Sequence, residues 1–535
     1  MGTDADHERS ESAPAGRRLD PSALAPPVGG GGTPRRQVGR DAGNRSKASR
    51  AAVVADGLIR DFIASVDRDP DRPAVIDIDS GEATTRADVL EAAVAMAAVI
   101  DSEVPEDGVV VLHGPGGGAY WSGLIAILGT GRRLLPIGIE TSTEDRKRLA
   151  SAHGADAVLE TDSERAWADA PVPTRRIIEG GGSQAGVGRL DRGGRGSLLL
   201  RSSGTTGRPA VALRTAGGLD RVSETLVGVL GLDDDDDVLA TIPMEHAYGI
   251  EHGVLAPMRS GARVRFRAGF DLAGGADALR DGVTVFPGVP VTLEAATRVG
   301  RLDSRLRLAY SAGSPLSPRV RDAFAAAWNC PTGDLYGATE IGTISFDLGG
   351  DARPVSGVSM RVASQVDEDA GEMPVVSRHG SGELLVRSDA MFAGYLEARG
   401  GRVDPGRRLE DHFRTGDLGC VHPDGRVEIT GRAKIQFDVG GLKVNPTEVE
   451  AVLSEVPGVR EIVVVPMALS ETVTRVRAVV VPEVGVEAEE VIEGLRATSR
   501  SRLSLHQRPR VFELVEALPR TPTGKLLRGR LIESV

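Results

Sequence analysis

The sequence predicts an α/β fold: a large N-terminal domain of parallel sheets covered by helices, followed by a separate small α+β domain. Three observations carry this. Strand-like and helix-like runs alternate from about Val53 onward, and such alternation builds parallel sheets with helices on their faces. Aromatics are only 3% and glycines 68 of the 535 residues, a texture that suits Ala/Val/Gly-rich packing better than an aromatic-cored sandwich. Near Gly431 the texture changes, and the remaining stretch of about 100 residues is enough for a domain of its own.

Residues 1–50 are rich in Gly, Pro, Arg, Ser and Ala and almost empty of large apolar side chains. Such a segment cannot bury enough surface to offset its ordering entropy, and a disordered extension is expected. From Val53, VVADGLIRDFIASV carries apolar residues at helical spacing. Asp107–Leu112 reads as a buried strand, Tyr120–Leu128 as a helix, Arg133–Ile139 and Leu198–Leu200 as strands. Asp233–Asp237 is a run of five aspartates; a metal site is conceivable, but five adjacent carboxylates read first as a solvated, self-repelling turn. Beyond Gly431, NPTEVEAVLSEV and VIEGLRATSRSRL read as helices, and EIVVVPM, RVRAVVVPE and RVFELVEAL as strands.

The formal charge is −12. No basic tract is long enough to track a phosphate backbone, which argues against a nucleic-acid partner. No apolar stretch approaches the ~18–20 residues a membrane span needs. The charged N-terminus has no apolar core of a secretory signal. Cys330 and Cys420 are the only cysteines, too few for a disulfide framework or a thiolate zinc site, and they fit a reducing cytoplasm.

Three loops could hold phosphate. His113–Ala119 (HGPGGGA) matches a dinucleotide-binding glycine pattern between a strand and a helix, with Glu140 ending the next strand-like run; alone, that match is weak. Ser202–Pro209 (SSGTTGRP) follows the strand SLLLR. Its glycines let backbone amides converge, and its four hydroxyls add donors suited to a polyphosphate. Thr521–Lys525 (TPTGK) fails the P-loop pattern, because Leu526 follows the lysine.

In order along the chain, SSGTTGRPA, PMEHAYG (Pro243–Gly249), LAYSAGSPLSP (Leu308–Pro318), DLYGATE (Asp334–Glu340), RTGDLG (Arg414–Gly419), GRAKIQFDVGGLKVNPTEVE (Gly431–Glu450) and LPRTPTGKLLR (Leu518–Arg528) resemble the motifs of the adenylate-forming superfamily. That superfamily includes acyl-CoA synthetases, peptide-synthetase adenylation domains and luciferases. The resemblance covers about Val53 to the end and outweighs the dinucleotide match. It implies a large domain of stacked sheets over 51–431 and a small mobile domain over 432–535 that carries a catalytic lysine.

The reaction it implies is attack of a carboxylate on the α-phosphorus of MgATP, releasing pyrophosphate, then transfer of the acyl group to a thiol. By resemblance, Ser202, Ser203, Gly204, Thr205, Thr206 and Gly207 hold the β- and γ-phosphates, Thr339 touches the α-phosphate, and Glu340 holds Mg²⁺. Tyr336 stacks on adenine, with Gly313, Ser314 and Pro315 opposite and Gly337 beside it. Asp417 accepts the ribose hydroxyls, Arg432 contacts ribose or phosphate, and His246 stands before the acyl pocket. Lys525 offsets charge at the α-phosphate. Lys434 is the hinge, and Gly440 and Gly441 form the thiol-acceptor loop. The thiol is that of coenzyme A or of a phosphopantetheinyl carrier protein. No carrier motif lies in the chain, so the acceptor is external. The other partner is a small carboxylic acid.

Three departures from the family pattern stand out. Ala210 replaces the lysine that usually follows the phosphate loop, so its charge would come from Arg208 or Arg214, or ATP would bind more weakly. Ile435 follows the hinge where a polar residue is usual. Glu245 precedes His246, where an aromatic or apolar residue is common; it would raise the imidazole's pKa or favour an amine-bearing or small polar substrate, or it is equally a surface residue that pairs with a nearby arginine. Two other readings stay open: adenylation of another oxyanion or transfer of the adenylate to an amine, and a degenerate nucleotide-binding homologue.

Overall fold

The computed structural model describes residues 57–139, 141–161, 174–176, 196–201, 210–268, 274–300, 304–364, 373–396, 403–435, 437–439, 442–470, 473–521 and 526–532. The expected extension over 1–50, the segment Ser202–Pro209, Glu140, Gly440, Gly441 and Lys525 lie outside them. The chain has a large N-terminal and a small C-terminal domain of mixed α/β structure.

Among the described residues, two large sheets form the body of the large domain. The first runs Arg353–Pro354, Gly342–Asp347, Thr332–Ala338, Leu308–Ala312, Val285–Gly288, Asp237–Ala240, Arg263–Phe266, Pro73–Asp77, Ala83–Thr85. Its central strands are parallel, and antiparallel strands close both edges. The second has Ala155–Glu160, Val109–His113, Arg133–Ile137 and Ser197–Arg201 in parallel; Val211–Thr215 then returns antiparallel. All five residues of Val109–His113 are buried, as expected of a central parallel strand covered on both faces.

Helices fill the space between the sheets. Gly118–Gly129 (GAYWSGLIAILG) is apolar almost all round and almost wholly buried, the behaviour of a core helix rather than a surface one. Arg86–Glu103 starts at a capping box formed by Thr85 and Asp88. One continuous core joins Val110, Leu134 and Leu200 of the second sheet to Val238, Leu308 and Tyr310 of the first.

A third sheet has no counterpart in the sequence expectations. It is antiparallel throughout: Val376–Ser377, Val358–Ala363, Gly380–Ser388, His412–Val421 and Arg408–Leu409, with Val427–Arg432 paired to His412–Val421. It carries the RTGDLG motif.

The small domain has its own core, including Val449, Leu453, Val464, Val480, Val491 and Leu495. Its strands Val459–Ser470, Val473–Pro482 and Val511–Leu514 form one sheet, covered by the helices Pro446–Leu453 and Ala488–Arg502. Arg319 crosses from the large domain to pair with Glu483 at 2.6 Å.

The five-aspartate run is the expected turn, exposed at Asp233 and Asp235, but three of its members are paired rather than solvated and self-repelling. Asp234 pairs with Arg72 and Arg86, Asp236 with Arg307, and Asp237 with Arg263 and Arg265. Asp236 and Asp237 are buried. The fold brings five arginines from distant positions to neutralise the run, and their charges are invisible in a local reading.

Candidate active site

The candidate residues gather where parallel strands end, as expected for a crevice outside the carboxyl ends of an α/β sheet. Ser197–Arg201 leads into Ser202–Gly207. Asp237–Ala240 leads into the His246 segment, Leu308–Ala312 into Gly313–Pro315, and Thr332–Ala338 into Thr339 and Glu340. Gly313 has φ +84° and open space where a Cβ would stand, so the turn after that strand leaves its rim clear.

Asp417 is brought to this rim by the antiparallel sheet. Glu383 shapes the preceding turn: it accepts from the Gly416 amide at 3.1 Å and pairs with Arg414. The Tyr336 hydroxyl donates to one oxygen of the buried Asp417 carboxylate at 2.6 Å, and Arg432 Nε donates to the other at 2.7 Å. Burial, then the Asp417 charge, raises the Tyr336 phenol well above its ordinary range, so it stays a donor. Each carboxylate oxygen keeps a lone pair for a further hydroxyl. Tyr336, Asp417 and Arg432 therefore form one unit.

Glu340 is held from two sides. The Tyr395 hydroxyl donates to its Oε1 at 2.7 Å, and the Phe392 amide donates to its carbonyl at 2.7 Å. Among the described residues no group of three or more His, Cys, Asp or Glu could hold a metal. A single oriented carboxylate is nonetheless a donor set that suits Mg²⁺, which usually takes one or two carboxylates and fills its shell with phosphate oxygens and water.

His246 caps the short helix Ala247–Ile250 and lies 3.8 Å from Glu245. Glu245 is not a surface residue: its side chain is 12% exposed, 3.7 Å from Arg201 and 3.3 Å from the Thr141 hydroxyl. Gly138 leaves it room, since a Cβ there would stand 1.7 Å from its carboxylate. Behind His246, Tyr248 of the PMEHAYG motif and Tyr310 of LAYSAGSPLSP meet His252, which the sequence reading missed. His252 Nδ1 and the Tyr310 hydroxyl are 2.7 Å apart, and the Tyr248 hydroxyl donates to the Gly288 carbonyl at 2.8 Å. Burial pushes His252 down to about 3, which keeps it neutral. Tyr248 and His252 stand four residues apart, and that helical i, i+4 spacing is the sequence signal that could have found His252.

Arg214 is not a free cation for a nucleotide phosphate. It is fully buried and donates to Glu251 at 2.9 Å and to the Thr339 carbonyl at 2.9 Å. Arg208 lies outside the described residues. The glycine loop after Val109–His113 is filled by protein. A Cβ at Gly114 would meet Thr161 at 1.7 Å, at Gly116 the Phe266 ring at 2.3 Å, and at Gly118 Thr84 at 2.4 Å. Its glycines serve close packing.

Lys434 lies in the 3₁₀ turn Ala433–Ile435, directly after Val427–Arg432. Asn445, which caps the first small-domain helix, donates to the Thr430 carbonyl at 3.0 Å and so touches the strand before that turn. The residues flanking the Thr521–Lys525 motif are paired, Arg520 with Leu526.

A family model described as AMP-binding enzyme matches residues 62–396, and one described as AMP-binding enzyme C-terminal domain matches 448–525. Among curated proteins, 4-coumarate–CoA ligase 1 of Solanum tuberosum is 30% identical over 361 residues, 62% of this chain and 64% of its own length. Sulfoacetate–CoA ligase of Cupriavidus necator is 29% identical over 351 residues, 63% of this chain and 66% of its own. The chain thus spans just under two thirds of these relatives. The ATP-bound structure of MatB from Rhodopseudomonas palustris superposes with a TM-score of 0.77 at 24% identity, covering 90% of this chain and 99% of that one. A benzoate CoA ligase from Burkholderia xenovorans superposes with a TM-score of 0.75 at 23% identity, covering 89% and 99%. These two establish the likeness of fold. The chain belongs to the AMP-binding enzyme family of the adenylate-forming superfamily.

Proposed function

We propose that the chain is an AMP-forming acid–thiol ligase that activates a small carboxylic acid with ATP and passes the acyl group to coenzyme A. The observation that carries this is the convergence of Thr339, the Tyr395-held Glu340 and the Tyr336–Asp417–Arg432 unit at the ends of the strands that lead into the Ser202–Gly207 and His246 segments. Coenzyme A is favoured as acceptor because the relatives matched are named as CoA ligases.

In this reading a carboxylate oxygen of the acid attacks the α-phosphorus, the α–β bridging bond breaks, and pyrophosphate leaves. The thiolate of the acceptor then attacks the acyl carbon, and AMP leaves with the bridging oxygen. Positioning and charge neutralisation carry both steps. Asp417 fixes the ribose, with Tyr336 and Arg432 fixing Asp417. The Tyr336 ring and the Gly313–Pro315 turn, with Gly337, bound the adenine. Thr339 meets the α-phosphate, and Ser202, Ser203, Gly204, Thr205, Thr206 and Gly207 cradle the outer phosphates. Mg²⁺, when bound, would neutralise phosphate charge, and Glu340 would hold it. His246 flanks the carboxylate, and Lys525 offsets charge growing at the α-phosphate. The boundary is proposed at 431/432. The small domain would turn about Lys434 between the two steps, exchanging Lys525 for the Gly440–Gly441 loop.

No helix among the described residues is long and apolar enough to cross a membrane. A cytoplasmic setting is part of this reading, since two cysteines are too few for the disulfide framework of a secreted chain.

The test is to incubate the protein with MgATP and a panel of aromatic, sulfonated and short-chain acids, with and without coenzyme A, and to follow pyrophosphate, AMP and thioester. Pyrophosphate together with a CoA thioester is expected for some acid. Pyrophosphate without thioester would favour transfer to an amine or a carrier protein. ATP binding with no turnover of any acid would favour the degenerate reading that Ala210 raises.

A further inference from the structure

We propose that Arg214, neutralised by Glu251, is a positioning residue: it fixes the Thr339–Glu340 turn from behind, and the missing loop lysine has no substitute on the phosphates at this position. The inference rests on the roles proposed for Thr339 and Glu340, but the arrangement stands on its own geometry.

Arg214 lies on Val211–Thr215, the strand that leaves the Ser202–Pro209 segment. Its guanidinium is 0% exposed and grips two groups through one nitrogen, Glu251 and the Thr339 carbonyl, both at 2.9 Å. Glu251 is 3% exposed, and burial raises its carboxyl above the ordinary range even against the pull of Arg214. It reaches this place because the helix after His246 widens to a π turn over Glu251–Leu255, where the Ala256 amide bonds the Glu251 carbonyl five residues back. Such bulges re-aim inward side chains and recur at functional sites. Gly342, with φ +86°, makes room: a Cβ there would stand 2.6 Å from Val222, 3.2 Å from Arg214 Nη2 and 3.3 Å from Glu251 Oε2.

The same strand holds the other side of the turn. Ala393 donates to the Leu213 carbonyl at 2.9 Å, Phe392 donates to the Glu340 carbonyl at 2.7 Å, and Gly394–Leu396 pairs with Val211–Leu213. Tyr395 on that pairing strand holds the Glu340 carboxylate. Both residues of the turn are thereby clamped to the strand that follows the phosphate loop, Thr339 through Arg214 and Glu340 through Phe392 and Tyr395. A buried ion pair is a poor source of stability, because apolar replacements of similar volume often cost nothing. It is a good way to aim a backbone carbonyl, since a guanidinium donates in fixed directions.

The decisive variants are Arg214→Met and the double variant Arg214→Met with Glu251→Met. Three readouts are taken: melting temperature, ATP–pyrophosphate exchange with an acid that the wild type uses, and amide hydrogen exchange of residues 336–343. The single variant strands the Glu251 charge and should melt well below wild type. The double variant should recover the melting temperature yet lose about tenfold or more in the adenylation kcat, with KM for the acid held within about threefold. Segment 336–343 should exchange faster in it while the rest of the large domain does not. Recovery of kcat along with the melting temperature, or unchanged exchange of 336–343, would overturn the proposal. If the double variant does not fold, Arg214→Lys takes its place. It keeps a charge for Glu251, but its shorter stem and freely rotating ammonium do not present a donor in the fixed direction of Arg214 Nη1, and it is expected to speed exchange at 336–343 at near-native melting temperature; unchanged exchange there overturns the proposal. A wild type that exchanges pyrophosphate with no acid refutes the ligase reading alone, and the hydrogen-exchange arm then decides the positioning role.

Discussion

Two donors hold the Asp417 carboxylate, and removing them one at a time separates a buried contact from an exposed one. The Asp417 side chain is 6% exposed, whereas that of Arg432 is 47% exposed. Tyr336→Phe removes a 2.6 Å hydroxyl–carboxylate bond and keeps the ring. A hydrogen bond to a charged group is worth about 1.5–3 kcal/mol, so that is the expected cost. Arg432→Met removes a half-exposed ion pair, whose value in water is about 0.2–1 kcal/mol. The melting temperature should therefore fall by about 2–6 °C in Tyr336→Phe and by less than about 2 °C in Arg432→Met. With the ring still facing the nucleotide, KM for ATP should rise by no more than about tenfold in Tyr336→Phe, which corresponds to about 1.4 kcal/mol. Differential scanning fluorimetry and steady-state titration with ATP check both numbers. An Arg432→Met variant that melts as low as Tyr336→Phe, or lower, would refute the argument that burial decides which donor holds Asp417.

Asp334, which accepts from the Leu316 amide at 3.1 Å, is raised by burial from 3.8 to about 6. A raised carboxyl contributes its stability in full below 3.8 and loses it as pH climbs through about 6. Asp334→Asn keeps the acceptor without the charge, so it should be about 1–3 kcal/mol more stable than wild type at pH 8 and equal to it near pH 4, read from denaturation at the two pH values. Tyr395→Phe frees the Glu340 carboxylate and should raise the Mg²⁺ concentration for half-maximal adenylation by about tenfold with little change in melting temperature; an unchanged Mg²⁺ requirement would separate Glu340 from the metal. Lys525→Ala should lower adenylation by about 10²–10³ while a supplied acyl-adenylate is still converted to thioester at near the wild-type rate; equal loss in both half-reactions would deny it a role confined to the first.

The parallel core was legible because its strands announce themselves locally. Val109–Leu112 and Ile462–Leu469 within the small domain's Val459–Ser470 are continuous apolar runs, and the helix Gly118–Gly129 is apolar almost all round. The antiparallel sheet was not legible. Strands such as Val358–Ala363 (VSMRVA) interleave Ser359 and Arg361 with the buried Met360 and Val362 rather than forming an apolar run, and the partner Gly380–Ser388 is chosen by pairing across a loop. The site divides in the same way. Tyr336, Glu340, Asp417 and Arg432 could be named from motif order, but the bond between Tyr336 and Asp417 joins residues 81 apart and exists only once two sheets meet. Arg214 shows the limit most clearly. A lone arginine after a phosphate loop reads as a phosphate ligand, and nothing local reveals that Glu251, 37 positions on, claims it. The aspartate run misled for the same reason, since Arg72, Arg86, Arg263, Arg265 and Arg307 arrive from elsewhere.

The central claim is that the acid's own oxygen attacks the α-phosphorus of ATP, and oxygen labelling tests it most directly. An acid that the panel shows to be turned over is labelled with ¹⁸O in its carboxylate and converted with MgATP and coenzyme A, and the nucleotide product is weighed by mass spectrometry. The account predicts AMP carrying one ¹⁸O, the bridging oxygen left when the thiolate takes the acyl group. Unlabelled AMP, or ADP with the label in inorganic phosphate, would contradict it.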